Sequence, residues 1–280
     1  LKCNIMLKYE AIAKKYIMEN MFIIRGENME QEKSIGIFDS GIGGVTVLRE
    51  IIKQLPNENY IYYSDSSNNP YGDKSDKEII KISDNIVKYL LANSCKTIVI
   101  ACNTASAKAA SFLRKKYKDM TFIAIEPAYK MVYDYAYENE TLLLATKATL
   151  ESEKFNILYK KYDNHKTYLY PCIGLADLIE KEDLEGVKKY LEKNLKPYKN
   201  KVKNVVLGCT HYPLIQEQIK ETLGDVLFFN GSQRLAVHLK NVLAKKNMLS
   251  KKGGAIKFID SANSKSKEER FYKILRENLN

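Results

Sequence analysis

From Ile35 onward, short apolar runs of strand length alternate with amphipathic stretches of helix length. That alternation constrains the fold more than any other feature of the chain. It specifies parallel strands joined by crossover helices that cover both faces of a sheet, an α/β class. Strands are expected at 35–38, 60–64, 97–101, 122–125, 142–145, 167–170, 205–208, 226–229 and 256–259. Helices are expected at 45–54, 77–92, 105–117, 152–162, 185–194 and 214–223. In the second of these, Ile79, Ile82, Ile86, Tyr89 and Leu90 recur three and four apart and give one buried stripe.

The pattern also repeats. Thr97-Ile98-Val99-Ile100-Ala101 runs into Cys102-Asn103-Thr104, and Asn204-Val205-Val206-Leu207-Gly208 runs into Cys209-Thr210-His211. Each unit is a β-branched strand, a small residue, a cysteine, then hydroxyl or amide side chains able to open a helix. Open parallel sheets bind ligands beyond the carboxyl ends of such strands. Two thiols at equivalent turns of duplicated units would face each other across a shared cleft, an arrangement suited to moving a proton from one face of a carbon to the other. A thiol is only a few per cent ionised near neutral pH, so each sulfur needs local help, such as a helix N-terminus. The plain reading of a cysteine is a small buried hydrophobe. It suffices for Cys95 and Cys172; for Cys102 and Cys209 the matched contexts favour chemistry.

At 280 residues the chain has length for two modest domains. Breaks near Glu126-Pro127 and Asn230-Gly231-Ser232 divide it into a first α/β domain, 34–126 plus 232–280, and a second, 127–231. Residues 1–33 read as an N-terminal extension whose order the pattern leaves open, with an amphipathic helix expected over 9–21 and Met29 as a natural start. No run approaches the ~18 apolar residues of a membrane span. The five cysteines include no Cys-x-x-Cys pair and suit free thiols in a reducing cytosol. The net charge of +11 invites a polyanion, yet only six of the 45 basic residues are arginine, the side chain that reads phosphates and bases bidentately. Solvated lysine-rich helix faces are the expected outcome, and nucleic acid is not the expected partner.

Two further segments lie at strand ends. Phe38-Asp39-Ser40-Gly41-Ile42-Gly43-Gly44 closes a strand and opens a helix, where glycines admit close backbone approach to a ligand and the helix start favours an anion. Turn geometry alone accounts for the glycines equally well, but not for Asp39. The spacing matches neither a dinucleotide fingerprint nor a phosphate loop. Pro70-Tyr71-Gly72-Asp73 is ordinary turn chemistry placed at the same sheet edge. Cys209-Thr210-His211 offers S and N donors, but three histidines and no zinc spacing give no metal site. Nothing supplies an obvious cup for pyridoxal phosphate, although the residues alone leave a Schiff-base lysine open; two thiols with local help could do the same work without it.

Together, Phe-Asp-Ser-Gly-Ile-Gly-Gly, Pro-Tyr-Gly-Asp-Lys-Ser, Ala-Cys-Asn-Thr-Ala-Ser and Gly-Cys-Thr-His-Tyr-Pro-Leu, in this order from about Ser34 to the C-terminus, resemble the glutamate racemases of the aspartate/glutamate racemase family. Thr146–Ser152 and Leu178-Ile179-Glu180 look like further family segments. The resemblance implies two similar α/β domains with the active site in the interdomain cleft, and a cytoplasmic, cofactor-independent enzyme supplying D-glutamate for peptidoglycan. It implies that Cys102 and Cys209 are the proton donors and acceptors, with Asp39 and His211 as their respective neighbours. Asp39, Ser40, Tyr71, Gly72, Asn103, Thr104, Thr210 and His211 would hold the substrate glutamate, and Glu180 matches a family acid near the second thiol. A homodimer is compatible with it. The loop 65–69 reads Asp-Ser-Ser-Asn-Asn where the family often has Asp-Thr-Ala-Arg, so no role is carried over for an arginine there. Two alternatives stand beside this reading: a racemase of a related acidic amino acid such as aspartate, and a non-catalytic protein that binds a DNA-processing enzyme through its basic surface.

Overall fold

The computed structural model of the chain describes residues 31–277; the helix expected over 9–21 lies outside the described residues. In chain order the elements are β1 (Ile35–Asp39), α1 (Val45–Gln54), β2 (Tyr60–Ser64), α2 (Asp76–Ala92), β3 (Thr97–Ile100), α3 (Asn103–Lys116), β4 (Phe122–Ala124) and α4 (Tyr129–Tyr135). They continue as β5 (Thr141–Ala145), α5 (Lys147–Leu150), α6 (Glu153–Tyr162), β6 (Thr167–Pro171), α7 (Leu175–Glu180), α8 (Leu184–Asn194), β7 (Asn204–Leu207) and α9 (Gln216–Leu223). The last are β8 (Leu227–Phe229), α10 (Ser232–Lys245), β9 (Ile256–Asp260) and α11 (Lys265–Arg276).

Two sheets form, in the orders β4-β3-β1-β2-β9 and β6-β5-β7-β8, and every pairing is parallel. Their winding is the same. Each begins on an inner strand (β1, β5), adds the next strand on one side (β2, β6), then returns to build the other side (β3 and β4; β7 and β8). β9 extends the first sheet at its β2 edge. The winding therefore reverses between β1 and β3 and again between β5 and β7, and such reversal points open a crevice at the carboxyl ends of the strands.

Both faces of the inner strands β1, β3, β5 and β7 are covered, which explains why these strands read as near-continuous apolar runs. In the first sheet Ile35, Ile37 and Val99 pack under α1, α10 and α11. Phe38, Ile98 and Ile100 pack under α2 and α3 on the other face. In the second, Leu142, Leu144 and Val205 meet α7, α8 and α9, while Leu143 and Val206 meet α4 and α6. Each such fully buried side chain contributes roughly 1.5–3 kcal/mol. The chain crosses between the sheets after β4 and after β8. A Cβ on Gly231 would lie 2.5 Å from the Glu126 carbonyl oxygen, so the two crossing segments run side by side.

All nine expected strands are present, with ends shifted by a residue or less. α3 starts two residues before its expected position because the Cys102 sulfur caps it, accepting from Ala105 N–H at 3.5 Å. A 3-10 turn, Tyr212–Ile215, replaces the expected first turn of α9. The helices α4, α5, α7, α10 and α11 lie outside the six expected spans. Among the described residues no helix is long and apolar enough to cross a membrane.

Candidate active site

The two reversal points hold the two cysteines of matching context. Asp39 ends β1 and Cys102 follows β3; Ala145 ends β5 and Cys209 lies two residues past β7. Cys102 and Cys209 are both buried, and both line one cavity of about 130 Å³. Larger grooves exist, one of about 760 Å³ between α1, α9 and α11, but no cysteine or histidine lines it. The site is identified by its chemistry, not its size.

The surroundings of the two sulfurs differ. Cys102 is hydrogen-bonded by Ala105 N–H, and its thiol donates to Ser40 Oγ at 3.8 Å. Burial, reinforced by the Asp39 carboxylate, pushes this thiol up to about 12 despite its place at a helix N-terminus. Cys209 instead lies 3.7 Å from His211 Nδ1, and His211 Nε2 lies 2.8 Å from Glu180 Oε2. Burial opposes charging of this imidazole, but its hydrogen bonds to Cys209 and Glu180 outweigh burial and hold its pKa well above the ordinary value. Burial likewise opposes ionisation of Glu180. Hydrogen bonds from His211, Lys267 and Ile42 N–H bring it down to about 2. Glu180, His211 and Cys209 thus form a line from a carboxylate through an imidazolium to a sulfur.

Asp39 is fully buried. Its Oδ2 accepts from Gly41 N–H at 3.2 Å and Gly44 N–H at 3.1 Å, and its Oδ1 accepts from Thr210 Oγ1 at 3.1 Å. Burial raises its pKa, with the nearby His211 charge opposing. The sequence left two uses open for the glycine-rich turn, ligand cradle or turn geometry; three of its amides serve the protein itself. Two of its amides bind Asp39 and a third, Ile42 N–H, binds Glu180 Oε2 at 3.0 Å. The reason for glycine is space. A Cβ on Gly43 would come within 2.6 Å of His211 Nδ1 and 2.7 Å of Thr210 Oγ1. Thr46 ties the same seam, its hydroxyl lying within bonding distance of Gly43 O and Thr210 O.

Around the cavity stand Ser40, the loop Asn69–Asp73, Asn103, Thr104, Thr146, Thr210 and His211. Tyr71 is fixed by its hydroxyl donating to Asp65 Oδ2 at 2.6 Å. Thr104, Thr146 and Thr149 form a hydroxyl chain at 2.9 Å per step. Asn103 Oδ1 is buried and without a protein partner, an acceptor suited to an ammonium group. Of the residues expected at the site, the structure gathers Cys102, Cys209, Ser40, Tyr71, Gly72, Asn103, Thr104, Thr210 and His211 on the wall. Asp39 and Glu180 lie behind it, one backing the glycine turn and Thr210, the other backing His211.

Sequence reasoning missed part of the wall. Cys172 is buried in the core as expected, but it also lines the cavity. Burial pushes its thiol up to about 12, so it stays neutral. Its position one residue past β6 was the only signal. Lys147, Ile173, Gly174 and Asp177 complete that side. Among the described residues no group of three or more His, Cys, Asp or Glu side chains is arranged to hold a metal ion.

The Asp/Glu/Hydantoin racemase family model matches residues 35–238. The chain is 44% identical over 238 residues to a glutamate racemase of Clostridium perfringens, a match covering 82% of this chain and 92% of that protein. Its structure resembles that of a glutamate racemase from Francisella tularensis in complex with D-glutamate, with a TM-score of 0.74, 30% identity and coverage of 87% and 94% of the two chains. It also resembles Escherichia coli glutamate racemase in complex with L-glutamate and the activator UDP-MurNAc-Ala, with a TM-score of 0.75, 27% identity and the same coverages.

Proposed function

This chain belongs to the Asp/Glu/hydantoin racemase family, and we propose that it is a cofactor-independent glutamate racemase working through two thiols. Membership makes it an amino-acid racemase. Glutamate as the substrate is supported by the names of its relatives and by the D- and L-glutamate bound in two structural neighbours. The product D-glutamate would serve peptidoglycan synthesis.

One observation carries the two-thiol reading: Cys102 and Cys209 open onto the same small cavity from equivalent strand ends, in unlike electrostatic surroundings. Racemisation needs unlike protonation states, one thiolate to take a proton and one thiol to deliver another. In one direction the Cys209 sulfur, as thiolate beside the His211 imidazolium, takes the α-proton. The Cα–H bond breaks and its electron pair spreads into the α-carboxylate. The Cys102 thiol, kept protonated by burial, then delivers its proton to the opposite face. No electrons are gained or lost, and the reverse reaction exchanges the roles. Asn103 Oδ1 would accept from the substrate ammonium, and the hydroxyls of Ser40, Thr104 and Thr210 with the Tyr71–Gly72 backbone would hold the carboxylates.

The test is an enantiomer assay by circular dichroism, with L-glutamate, D-glutamate and L-aspartate side by side and no added cofactor. Both glutamate enantiomers should lose optical activity at comparable efficiency. Faster turnover of aspartate would reassign the substrate, and no turnover of either acid would overturn the reading.

A further inference from the structure

The line from Cys209 does not end at Glu180. Glu180 Oε2 is taken by His211 Nε2 at 2.8 Å and Ile42 N–H at 3.0 Å, while Oε1 accepts from Lys267 Nζ at 2.7 Å. Lys267 belongs to the first turn of α11, a helix packed on the first sheet, whereas Glu180 is the last residue of α7 beside the second. Glu180 is buried and Lys267 is about one-quarter exposed. One turn further along α11, Arg270 donates to Glu180 O at 2.7 Å and Ile179 O at 2.8 Å, capping the carboxyl end of α7 with a cation, and its Nε pairs with Glu182 at 3.2 Å. Two cations of one helix therefore fix both the backbone and the side chain of the carboxylate behind His211.

Resting on the reading above, we propose that Lys267 is a positioning residue of the racemase site: by holding Oε1 of Glu180, it fixes the carboxylate whose other oxygen orients His211 against Cys209. Nothing in the sequence links position 267 to the thiols. Its contribution is both geometric and electrostatic. A carboxylate held by one donor set can rotate; held on both oxygens it cannot. The ammonium also shares the carboxylate's charge, so Glu180 binds the His211 proton less tightly than it otherwise would, leaving that proton free to move toward sulfur in the direction in which Cys209 is the donor. The other charged groups near this pair are Asp39, which repels Glu180, and Arg270, which binds the Glu180 and Ile179 carbonyls and the Glu182 carboxylate but not the carboxylate of Glu180.

The experiment uses the full chain carrying Lys267→Met, Lys267→Gln or Lys267→Arg. Only three histidines are present, which makes imidazole ¹⁵N signals assignable. Lys267→Met and Lys267→Gln should move the His211 resonances toward a more tightly held imidazolium and leave those of His165 and His238 in place. They should lower kcat for glutamate on the order of tenfold with KM changed less than about twofold, and displace the alkaline limb of the pH profile upward. Lys267→Arg should restore both signals. Unmoved His211 resonances overturn the proposal, and so does a loss of activity with an unmoved pH profile, which would mark a purely structural brace. If the unaltered chain racemises no glutamate, the reading of the function fails by itself, while the His211 resonances still decide the role of Lys267.

Discussion

Cys102 and Cys209 differ in what stands behind the sulfur, and the residue-scale predictions follow from that. Cys102→Ala and Cys209→Ala should each reduce racemisation of either enantiomer on the order of a thousandfold or more, with the far-UV spectrum unchanged. Turnover within tenfold of the unaltered chain by either variant would remove the two-thiol scheme. Glu180 gives a stability prediction of definite sign. Its carboxyl ionises near 2 in the folded chain, below its ordinary 4.5. The stabilisation it provides is therefore complete above about pH 4.5 and drains away as the pH falls toward about 2. Glu180→Gln should flatten that part of the acid limb in urea midpoints measured across the window. The thiols, Asn103 and His211 were legible in the sequence because each sits in a short motif at a strand end. Cys172 was not, since a cysteine after a strand with no capping residue behind it looks like any core cysteine. Lys267 is 87 positions from Glu180, and no local pattern encodes a contact made only by folding.

Strands were easier to read than helices. A parallel strand buried on both faces shows a continuous apolar run, and its short length and β-branched residues separate it from a buried helix. Helices α4, α5 and α7 are seven, four and six residues long, too short to display a period. α11 shows its apolar side only through Phe271, Ile274 and Leu275 amid charged neighbours. Where the signal was clear, it has an energetic counterpart. α2 begins with a capping box, Ser75 Oγ accepting from Glu78 N–H while the Glu78 carboxylate accepts from Ser75 N–H at 2.9 Å. Ser75→Ala should cost about 1 kcal/mol of stability by chemical denaturation and leave the sulfur environments unchanged. The glycine turn was left open between a ligand cradle and turn geometry, and the space it leaves for His211 and Thr210 was not foreseen. Gly43→Ala tests the need for that space: the added methyl must displace the imidazole or the threonine, and kcat should fall on the order of tenfold or more. Normal activity in Gly43→Ala would mean the seam between the sheets is softer than its distances imply.

At the level of the whole molecule, three interior thiols act together. Burial holds Cys95, Cys102 and Cys172 each up to about 12 against an ordinary 9.0. Once unfolded, each would release its proton near the lower value, so the folded chain binds more protons between about pH 9 and 12 and loses stability through that interval. Urea midpoints should decline over that interval, and replacing Cys95 by Ala should shallow the decline. The duplicated winding was visible beforehand in the two cysteine contexts, and the break near Asn230 assigned 232–280 to the first domain; that β9 joins the first sheet at its β2 edge was not visible, because strand order leaves no local trace. The return of the chain to the first sheet has a consequence for synthesis. A nascent chain that has emerged as far as residue 231 already contains every strand of the second sheet, but the first still exposes Ile35, Ile37 and Val99 where Leu235, Leu239, Phe258 and Phe271 will later lie. On the ribosome, of the two sheets the one begun first is the last to be finished.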